Sequence, residues 1–487
     1  MSISTTVKSI QDIMRKDAGV DGDAQRISQL GWMLFLKIFE DSEADLELAR
    51  RDYHSPIPEP LRWRNWAADA EGITGDTLLD FVNNQLFLTL KEIAPSATDA
   101  RGLVVREVFG DAYNYMKSGT LLRQVVNKIN EIDFNSSSDR HLFGDIYEQI
   151  LKNLQSAGNA GEFYTPRAVT DLMVERVNPR LGERVLDPAC GTGGFLTASI
   201  EHIRRHDVNA IEDEALLQHS VRGVEKKQLP HLLCVTNMLL HGIEVPSLIR
   251  RGNTLERPLR DYSHADRVEV IITNPPFGGM EEDGIETNFP ATFRTRETAD
   301  LFLVLIMNLL VNGGRDALVL PDGTLFGEGI KTRIKEKLLT ECNLHTIVRL
   351  PGSVFAPYTS IKTNLLFFTK GEPTREVWFY EHPLPDGYKA YSKTRPMRAA
   401  EFEPLRAWWD NREENERAWR VAVEDIEATG YNLDIKNPNS IAAPDDDPEV
   451  LLAQYRALLD EVQQARAQLR DELARALAGE AQETVTL

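Results

Sequence analysis

Val185-Leu186-Asp187-Pro188-Ala189-Cys190-Gly191-Thr192-Gly193-Gly194-Phe195-Leu196 is the stretch on which the reading of the chain turns. Val185 and Leu186 read as the end of a buried parallel strand. Asp187 and Pro188 stop it, and Gly191, Gly193 and Gly194 then allow a tight turn whose backbone can approach a ligand. The spelling narrows the ligand. A dinucleotide fingerprint requires a third glycine where Leu196 stands, and a phosphate-cradling loop requires Gly-Lys-Ser/Thr, which is absent. Glu225, closing Val221-Arg222-Gly223-Val224-Glu225, falls where a second strand would end, placed to accept hydrogen bonds from ribose hydroxyls. An uncharged turn, a ribose-binding carboxylate and a neighbouring apolar pocket suit S-adenosylmethionine.

Outward from this turn, residues 184–186, 221–225, 268–273, 317–320, 346–350 and 364–368 read as strands, and 376–382 as a further one. Residues 194–204, 229–240, 299–311 and 330–339 read as helices between them. This alternation is the signature of an α/β fold with a doubly wound, mostly parallel sheet, whose ligands bind beyond the carboxyl ends of the strands. Asp187, Glu225 and Asn274 all fall at such ends.

Asn274-Pro275-Pro276-Phe277 follows the apolar strand at 268–273. By itself it reads as a rigid turn, since two successive prolines remove two donors and stiffen the backbone. Behind a glycine loop, in this order, it also reads as a site for an exocyclic amine. Such an amine needs acceptors for its two hydrogens, which the Asn274 amide oxygen and the Pro275 carbonyl can supply, and a stacking face, which Phe277 offers at about 1 to 3 kcal/mol.

The flanks are helical in pattern. Val7, Ile10, Ile13 and Met14 recur at helical spacing, residues 30–39 form an almost unbroken apolar run in which Met33, Leu34 and Leu36 must be buried, and Trp63, Trp66, Leu78, Leu79, Phe81, Val82, Leu86, Phe87 and Leu88 supply more core. A helix through Leu142, Ile146, Tyr147, Ile150 and Leu151 leads to the connector Gly158-Asn159-Ala160-Gly161. Residues 402–419 read as a helical surface in which Trp408, Trp409 and Trp419 are packing residues. After a linker at 438–448, Leu451, Tyr455, Leu458, Val462, Ala465 and Leu469 repeat at steps of four and three, the spacing of a helix that packs on another helix or folds back on its own chain. The expected domains are 1–155, helical; 156–400, the α/β domain; and 401–487, a helical region with linker and coiled-coil-like tail.

The 487 residues suffice for two or three domains with substantial cores, and 42% hydrophobic with 27% charged content is ordinary for a globular protein. Cys190, Cys234 and Cys342 stand far apart without metal-ligand spacing, so neither a disulfide framework nor a metal site is expected, and a reducing cytoplasm fits. The longest apolar run, 301–311, is too short to span a bilayer. A formal net charge of -20 argues against this chain alone gripping DNA, because nonspecific affinity comes largely from cations neutralising phosphates. Lys331, Arg333, Lys335, Lys337 and Arg349 could touch phosphates, but read first as a solvated helix face.

Asp187-Pro188-Ala189-Cys190-Gly191-Thr192-Gly193-Gly194 together with Asn274-Pro275-Pro276-Phe277 resembles the amino-methyltransferases that modify adenine N6 in DNA. Within them the chain is similar to the modification subunit of type I restriction-modification systems, on Gly161-Glu162-Phe163-Tyr164-Thr165-Pro166-Arg167, Leu350-Pro351-Gly352, Lys362-Thr363-Asn364-Leu365-Leu366-Phe367-Phe368 and Gly430-Tyr431-Asn432-Leu433-Asp434. The resemblance implies a class I S-adenosylmethionine-dependent methyltransferase domain and direct methyl transfer to a flipped adenine. It implies double-stranded DNA, a specificity subunit and a second copy of the chain as partners, with a restriction subunit able to join and no membrane. Cofactor contacts are then expected from Glu162, Phe163, Tyr164, Thr165, Pro166, Arg167, Asp187, Gly191, Thr192, Gly193, Gly194, Glu225 and Asn253. Thr165-Pro166-Arg167 taken cold is only a helix start; the resemblance lays it over the methionine end of the cofactor. Asn253 stands where many such enzymes hold the adenine amino group with a carboxylate, although Gly252-Asn253 is also a common turn pair. The alternatives are the methylase of another phage-defence system, a stand-alone adenine methyltransferase, or a scaffold that keeps only the fold.

Overall fold

The computed structural model describes residues 3–94, 100–134, 165–356, 361–392, 394–439 and 448–483. The expected helix at 142–151, the connector at 158–161, the 155/156 boundary and most of the 438–448 linker lie outside them. Two compact units emerge, Met1–Glu414 with Ala418–Lys436, and Asn415–Arg417 with Asn437–Leu487.

The first unit is built on a nine-stranded sheet: β1 (Val185–Asp187), β2 (Val221–Glu225), β3 (Ile249–Arg251), β4 (Val268–Thr273), β5 (Leu310–Pro321), β6 (Cys342–Arg349), β7 (Thr363–Lys370), β8 (Glu376–Glu381) and β9 (Ala418–Ala422). Their order is β3-β2-β1-β4-β5-β7-β6-β8-β9. The half from β3 to β5 is entirely parallel, as the buried apolar strands require. Beyond it, β7 slots antiparallel between β5 and β6, and β9 pairs antiparallel with β8. The order reverses at β1 and β4, and there Asp187 and Asn274 sit side by side at adjoining carboxyl ends.

Two strands, β3 and β9, escape a reading by hydrophobic alternation because they are short and carry exposed arginines. Trp419 is therefore on a strand, stacked on Phe379 with centroids 5.3 Å apart, and only Glu403–Asp410 of the expected 402–419 surface is α-helical. The expected helix at 299–311 ends earlier, at Leu309, where Leu310 passes directly into β5.

Ahead of the sheet lie the helices Ile3–Met14, Asp23–Ala49, Ala100–Phe109 and Gly119–Ile129. Met33, Leu34 and Leu36 are buried, as expected, among Trp32, Phe35, Phe39, Phe87 and Phe109; the Trp32 and Phe87 rings meet edge-on at 5.0 Å. Leu88 corrects the expected core list: it is 52% exposed, because its neighbours Phe87 and Leu90 take the inward face of their helix. This helical layer docks on Gln228–Leu240, the helix between β2 and β3. A Cβ on Gly31 would come within 2.9 Å of Leu232, so the glycine lets the two helices approach closely. The Gln228 amide donates to the Val108 carbonyl at 2.6 Å, and Arg101 donates to the Glu244 carbonyl at 2.6 Å. The helical layer is thereby fixed over the β2–β3 end of the sheet.

The second unit contains the 36-residue helix Pro448–Glu483, on which Tyr455, Leu458, Val462 and Leu469 are exposed. No helix among the described residues is long and apolar enough to cross a membrane.

Candidate active site

At the end of β1 the chain turns as its glycines allow. Gly191 and Gly193 adopt φ of 53° and 85°, and the helix Gly194–His206 starts immediately. Around Gly191 and Gly194 an added Cβ would meet only open space, whereas on Gly193 it would lie 2.8 Å from the Cys234 sulfur. The loop thus has a packed side against Gln228–Leu240 and an open side, where Gly191, Gly194 and their neighbour Thr192 can face a ligand. Cys190 is buried with its sulfur 3.8 Å from that of Cys234, the small interior residue expected.

Glu225 stands at the end of β2, and its carboxylate accepts from the Gly191 N–H at 2.9 Å and the Lys227 N–H at 2.7 Å. It ties the glycine turn to the second strand. Asn253 follows β3. Its amide oxygen accepts from the Leu255 N–H at 3.0 Å, capping the turn Thr254–Glu256, and its nitrogen donates to Glu281 at 3.1 Å. Beside Asn253 opens a cavity of about 420 Å³ lined by Glu107, Gly110, Lys226, Arg251, Gly252, Asn253 and Glu256. Glu107 and Gly110 come from the N-terminal helical layer, which covers this end of the site. Burial raises the Glu107 carboxyl above its ordinary range.

Asp187 is 1% exposed and accepts from the Thr273 hydroxyl at 2.7 Å and the Ala189 N–H at 3.1 Å. Burial pushes its pKa up to about 7 against those two hydrogen bonds, with nearby Glu225 adding to the rise. The structure thus places Asp187 inside the turn, as the brace between β1 and the end of β4. Thr273, missed in the sequence, is that brace's other half; a threonine closing an otherwise apolar strand was the available signal.

One residue on, Asn274 begins the Pro-Pro turn. Its amide nitrogen donates to the Thr165 hydroxyl at 3.0 Å, and its buried amide oxygen has no hydrogen-bond partner among the described residues. Pro275 is buried and Pro276 exposed. The Phe277 ring, 5% exposed, meets Phe355 edge-on at 6.5 Å. Phe355 belongs to the segment after Leu350-Pro351-Gly352, so the structure brings that motif to the Pro-Pro turn.

Of the stretch ahead of the first strand, Glu162, Phe163 and Tyr164 lie outside the described residues. Pro166 is the N-cap of Arg167–Val177, and Arg167 pairs with Glu201 at 2.9 Å and Asp171 at 3.3 Å, which aims it along the neighbouring helices. Of the basic residues read as a solvated face, Arg333 is exposed and Lys337 pairs at the surface with Glu341, as expected, but Lys331, Lys335 and Arg349 need correction. Lys335 is 1% exposed and donates to the Leu325 and Gly327 carbonyls at 2.7 and 2.9 Å, with burial lowering its pKa to about 8. Lys331 pairs with the buried Asp300 at 2.9 Å, and Arg349 donates to the Ile435 carbonyl at 2.8 Å while pairing with Asp434. Arg349 thereby holds the end of β6 to Gly430-Tyr431-Asn432-Leu433-Asp434, while Lys335 closes the loop after β5 and Lys331 ties its helix to Asp300.

A glycine turn, an acidic strand end and an Asn-Pro-Pro-Phe turn at one switch point are matched by kinship across nearly the whole chain. The N-6 DNA methylase family matches residues 138–447, and the HsdM N-terminal domain matches residues 3–129. The methylase subunit of the type I restriction enzyme EcoEI from Escherichia coli is 64% identical over 487 residues, covering 98% of this chain and 99% of that protein. The chain belongs to the type I methylase subunits of the N-6 DNA methylase family.

This methylase subunit is therefore a DNA adenine methyltransferase, as the resemblance implied. A chain from a study of complex assembly and conformational transition in a type I restriction-modification system superposes with a TM-score of 0.82 at 36% identity, covering 99% of both chains. The type I methyltransferase subunit from Streptococcus thermophilus shares the fold, with a TM-score of 0.65 at 21% identity over 89% of this chain and 98% of that one. The class I methyltransferase fold with an N-terminal helical layer stands as expected.

Proposed function

We propose that this methylase binds S-adenosyl-L-methionine along the carboxyl ends of β1, β2 and β3 and methylates N6 of an adenine flipped out of duplex DNA. The open side of the glycine turn at Gly191 and Gly194, the Glu225 carboxylate and the cavity beside Gly252 and Asn253 fit the cofactor. Bound there, it supplies an electrophilic methyl group. Glu225 would exchange a backbone N–H for ribose hydroxyls, and Gly191, Thr192 and Gly194 would line the cofactor's length, with Asp187 and Gly193 holding the shape of the turn behind them. Pro166, ahead of the helix Arg167–Val177, would lie at the cofactor's methionine end.

The observation that carries the catalytic reading is the buried amide oxygen of Asn274, which has no partner among the described residues. A buried acceptor without a donor costs roughly 1 to 3 kcal/mol, so it persists where a ligand supplies the donor. An adenine amino group is such a donor. Held by this oxygen and the Pro275 carbonyl, its two hydrogens are drawn to one side and the nitrogen lone pair turns toward the methyl group. No covalent enzyme intermediate is needed. Phe277, edge-on to Phe355, forms an aromatic corner against which the flipped ring can stack.

Sequence recognition belongs to a separate specificity subunit, engaged by the exposed stripe of Pro448–Glu483, with a second copy of this chain in the same complex and the cytoplasm as its compartment. Net charge supports this division: at -20 the chain lacks the cations to hold a duplex alone. The test is calorimetry paired with a methylation assay. Asn274→Ala should keep its affinity for S-adenosylmethionine and lose methyl transfer, while Glu225→Ala should weaken cofactor binding by about 1.5 to 3 kcal/mol. Unchanged cofactor affinity in Glu225→Ala, together with unchanged transfer in Asn274→Ala, would remove the site.

A further inference from the structure

The backbone at Asn274 has little freedom. β4 holds it from one side, Thr273 is bound to Asp187, and Pro275 and Pro276 fix the chain on the other. The side chain is different. The terminal torsion of an asparagine is a broad, two-fold well, so an amide without partners swings through a wide arc. An acceptor that must meet an amine within hydrogen-bond distance and angle cannot swing so.

What limits the arc is the Thr165 hydroxyl, which accepts from the amide nitrogen at 3.0 Å and leaves the amide oxygen as the atom without a partner among the described residues. Thr165 lies 109 residues away in sequence, immediately before the helix Arg167–Val177. That helix is anchored at both ends. Arg167 pairs with Glu201 on Gly194–His206, and the Val177 carbonyl accepts from Arg315 of β5 at 2.9 Å. Thr165 is thus held by the same two layers of structure that hold the glycine turn and β5.

We infer that Thr165 is a positioning residue for methyl transfer: its hydroxyl fixes the plane of the Asn274 amide so that the amide oxygen meets the adenine N6 amine. This rests on the reading of Asn274 as the acceptor, and it gives Thr165 a role distinct from the cofactor contact that its stretch of sequence implies. The hydroxyl touches neither the adenine nor the methyl group. It acts through Asn274, and its loss lowers turnover without loosening the cofactor.

The experiment is a double-mutant cycle on the methylase assembled with its specificity subunit, read by single-turnover methylation at saturating cofactor, with calorimetry for cofactor affinity. Thr165→Val keeps the shape and removes the acceptor; Thr165→Ser keeps the hydroxyl. Thr165→Val should slow transfer roughly 10- to 100-fold, the scale at which small misplacements act, and leave cofactor affinity within about twofold. Thr165→Ser should recover most of the rate. Long single-turnover incubations read the slow residual transfer of Asn274→Ala, and in that background Thr165→Val should cost nothing further. Effects of the two substitutions that multiply, or a Thr165→Val variant with weaker cofactor binding and an unchanged saturated rate, would overturn the inference. Full methylation by Asn274→Ala would bring down the reading beneath it instead. Thermal denaturation guards against misfolding, and Thr165→Ala replaces the valine variant in the cycle if that one does not fold.

Discussion

Asp187 sits in the interior with its pKa near 7, well above the ordinary 3.8 of an aspartate. The folded chain therefore prefers the protonated carboxyl. Its contribution to stability is fully present below about pH 4 and is lost as the pH rises through about 7, where folding must bury a charge. Asp187→Asn keeps an acceptor for the Thr273 hydroxyl and the Ala189 N–H and never ionises. Urea denaturation should find the variant close to wild type near pH 4 and more stable than wild type at pH 8. A stability difference that does not change with pH would show that Asp187 ionises in the fold as it does in the unfolded chain. Gly193 makes a second residue-scale case: a β-carbon there meets Cys234 at 2.8 Å with φ at 85°, so Gly193→Asp should lose cofactor binding and destabilise the fold by more than about 1 kcal/mol. Calorimetry and thermal denaturation check both. Much of this neighbourhood was legible in the sequence, since glycines, prolines and a strand-end carboxylate report their backbone directly. Partnerships were not. Nothing local tells that Asn274 meets Thr165, that the Asn253 nitrogen meets Glu281, or that Lys335 turns inward to two carbonyls, because each depends on a segment far away in the chain or on a helix face that only packing selects.

Among the elements, those with an internal period or a sharp stop were readable and those set by their neighbours were not. The strand at 268–273 and the helix Gln228–Leu240 matched closely. The apolar run at 301–311 had no break in period to mark the change from helix to strand at Leu310, and β7's antiparallel direction is a property of its pairing with β5 and β6. Another element-scale fact invites a test. Gly31 lets Asp23–Ala49 lie against Gln228–Leu240, and through that contact the helical layer brings Glu107 and Gly110 to the cavity at the β2–β3 end. Gly31→Leu should overpack the contact at roughly 1 to 3 kcal/mol, lower the melting temperature and weaken cofactor affinity from a distance. If the variant melts lower yet binds cofactor as wild type does, the helical layer stabilises the fold without shaping the site.

At the scale of the whole molecule, the acidic balance and the exposed stripe of Pro448–Glu483 argue for a methylase that works inside an assembly. Of the five cations that might have gripped phosphates, Lys331, Lys335 and Arg349 are committed within the fold, which leaves Arg333 and Lys337 at the surface. Purified alone, the chain should bind cofactor and methylate DNA barely; addition of the specificity subunit should restore methylation at one defined site. Deletion from Pro448 onward should impair that assembly, measured by size-exclusion chromatography, and leave cofactor affinity unchanged. Efficient site-specific methylation by the isolated chain would refute this division of labour. The most direct measurement concerns the chemistry itself: duplex DNA treated with the assembled methylase and cofactor, digested to nucleosides and resolved by mass spectrometry. Wild type should yield N6-methyladenine and Asn274→Ala should yield almost none; N4-methylcytosine as the product, or undiminished N6-methyladenine from Asn274→Ala, would contradict the assignment of Asn274 as the residue that presents adenine for methylation.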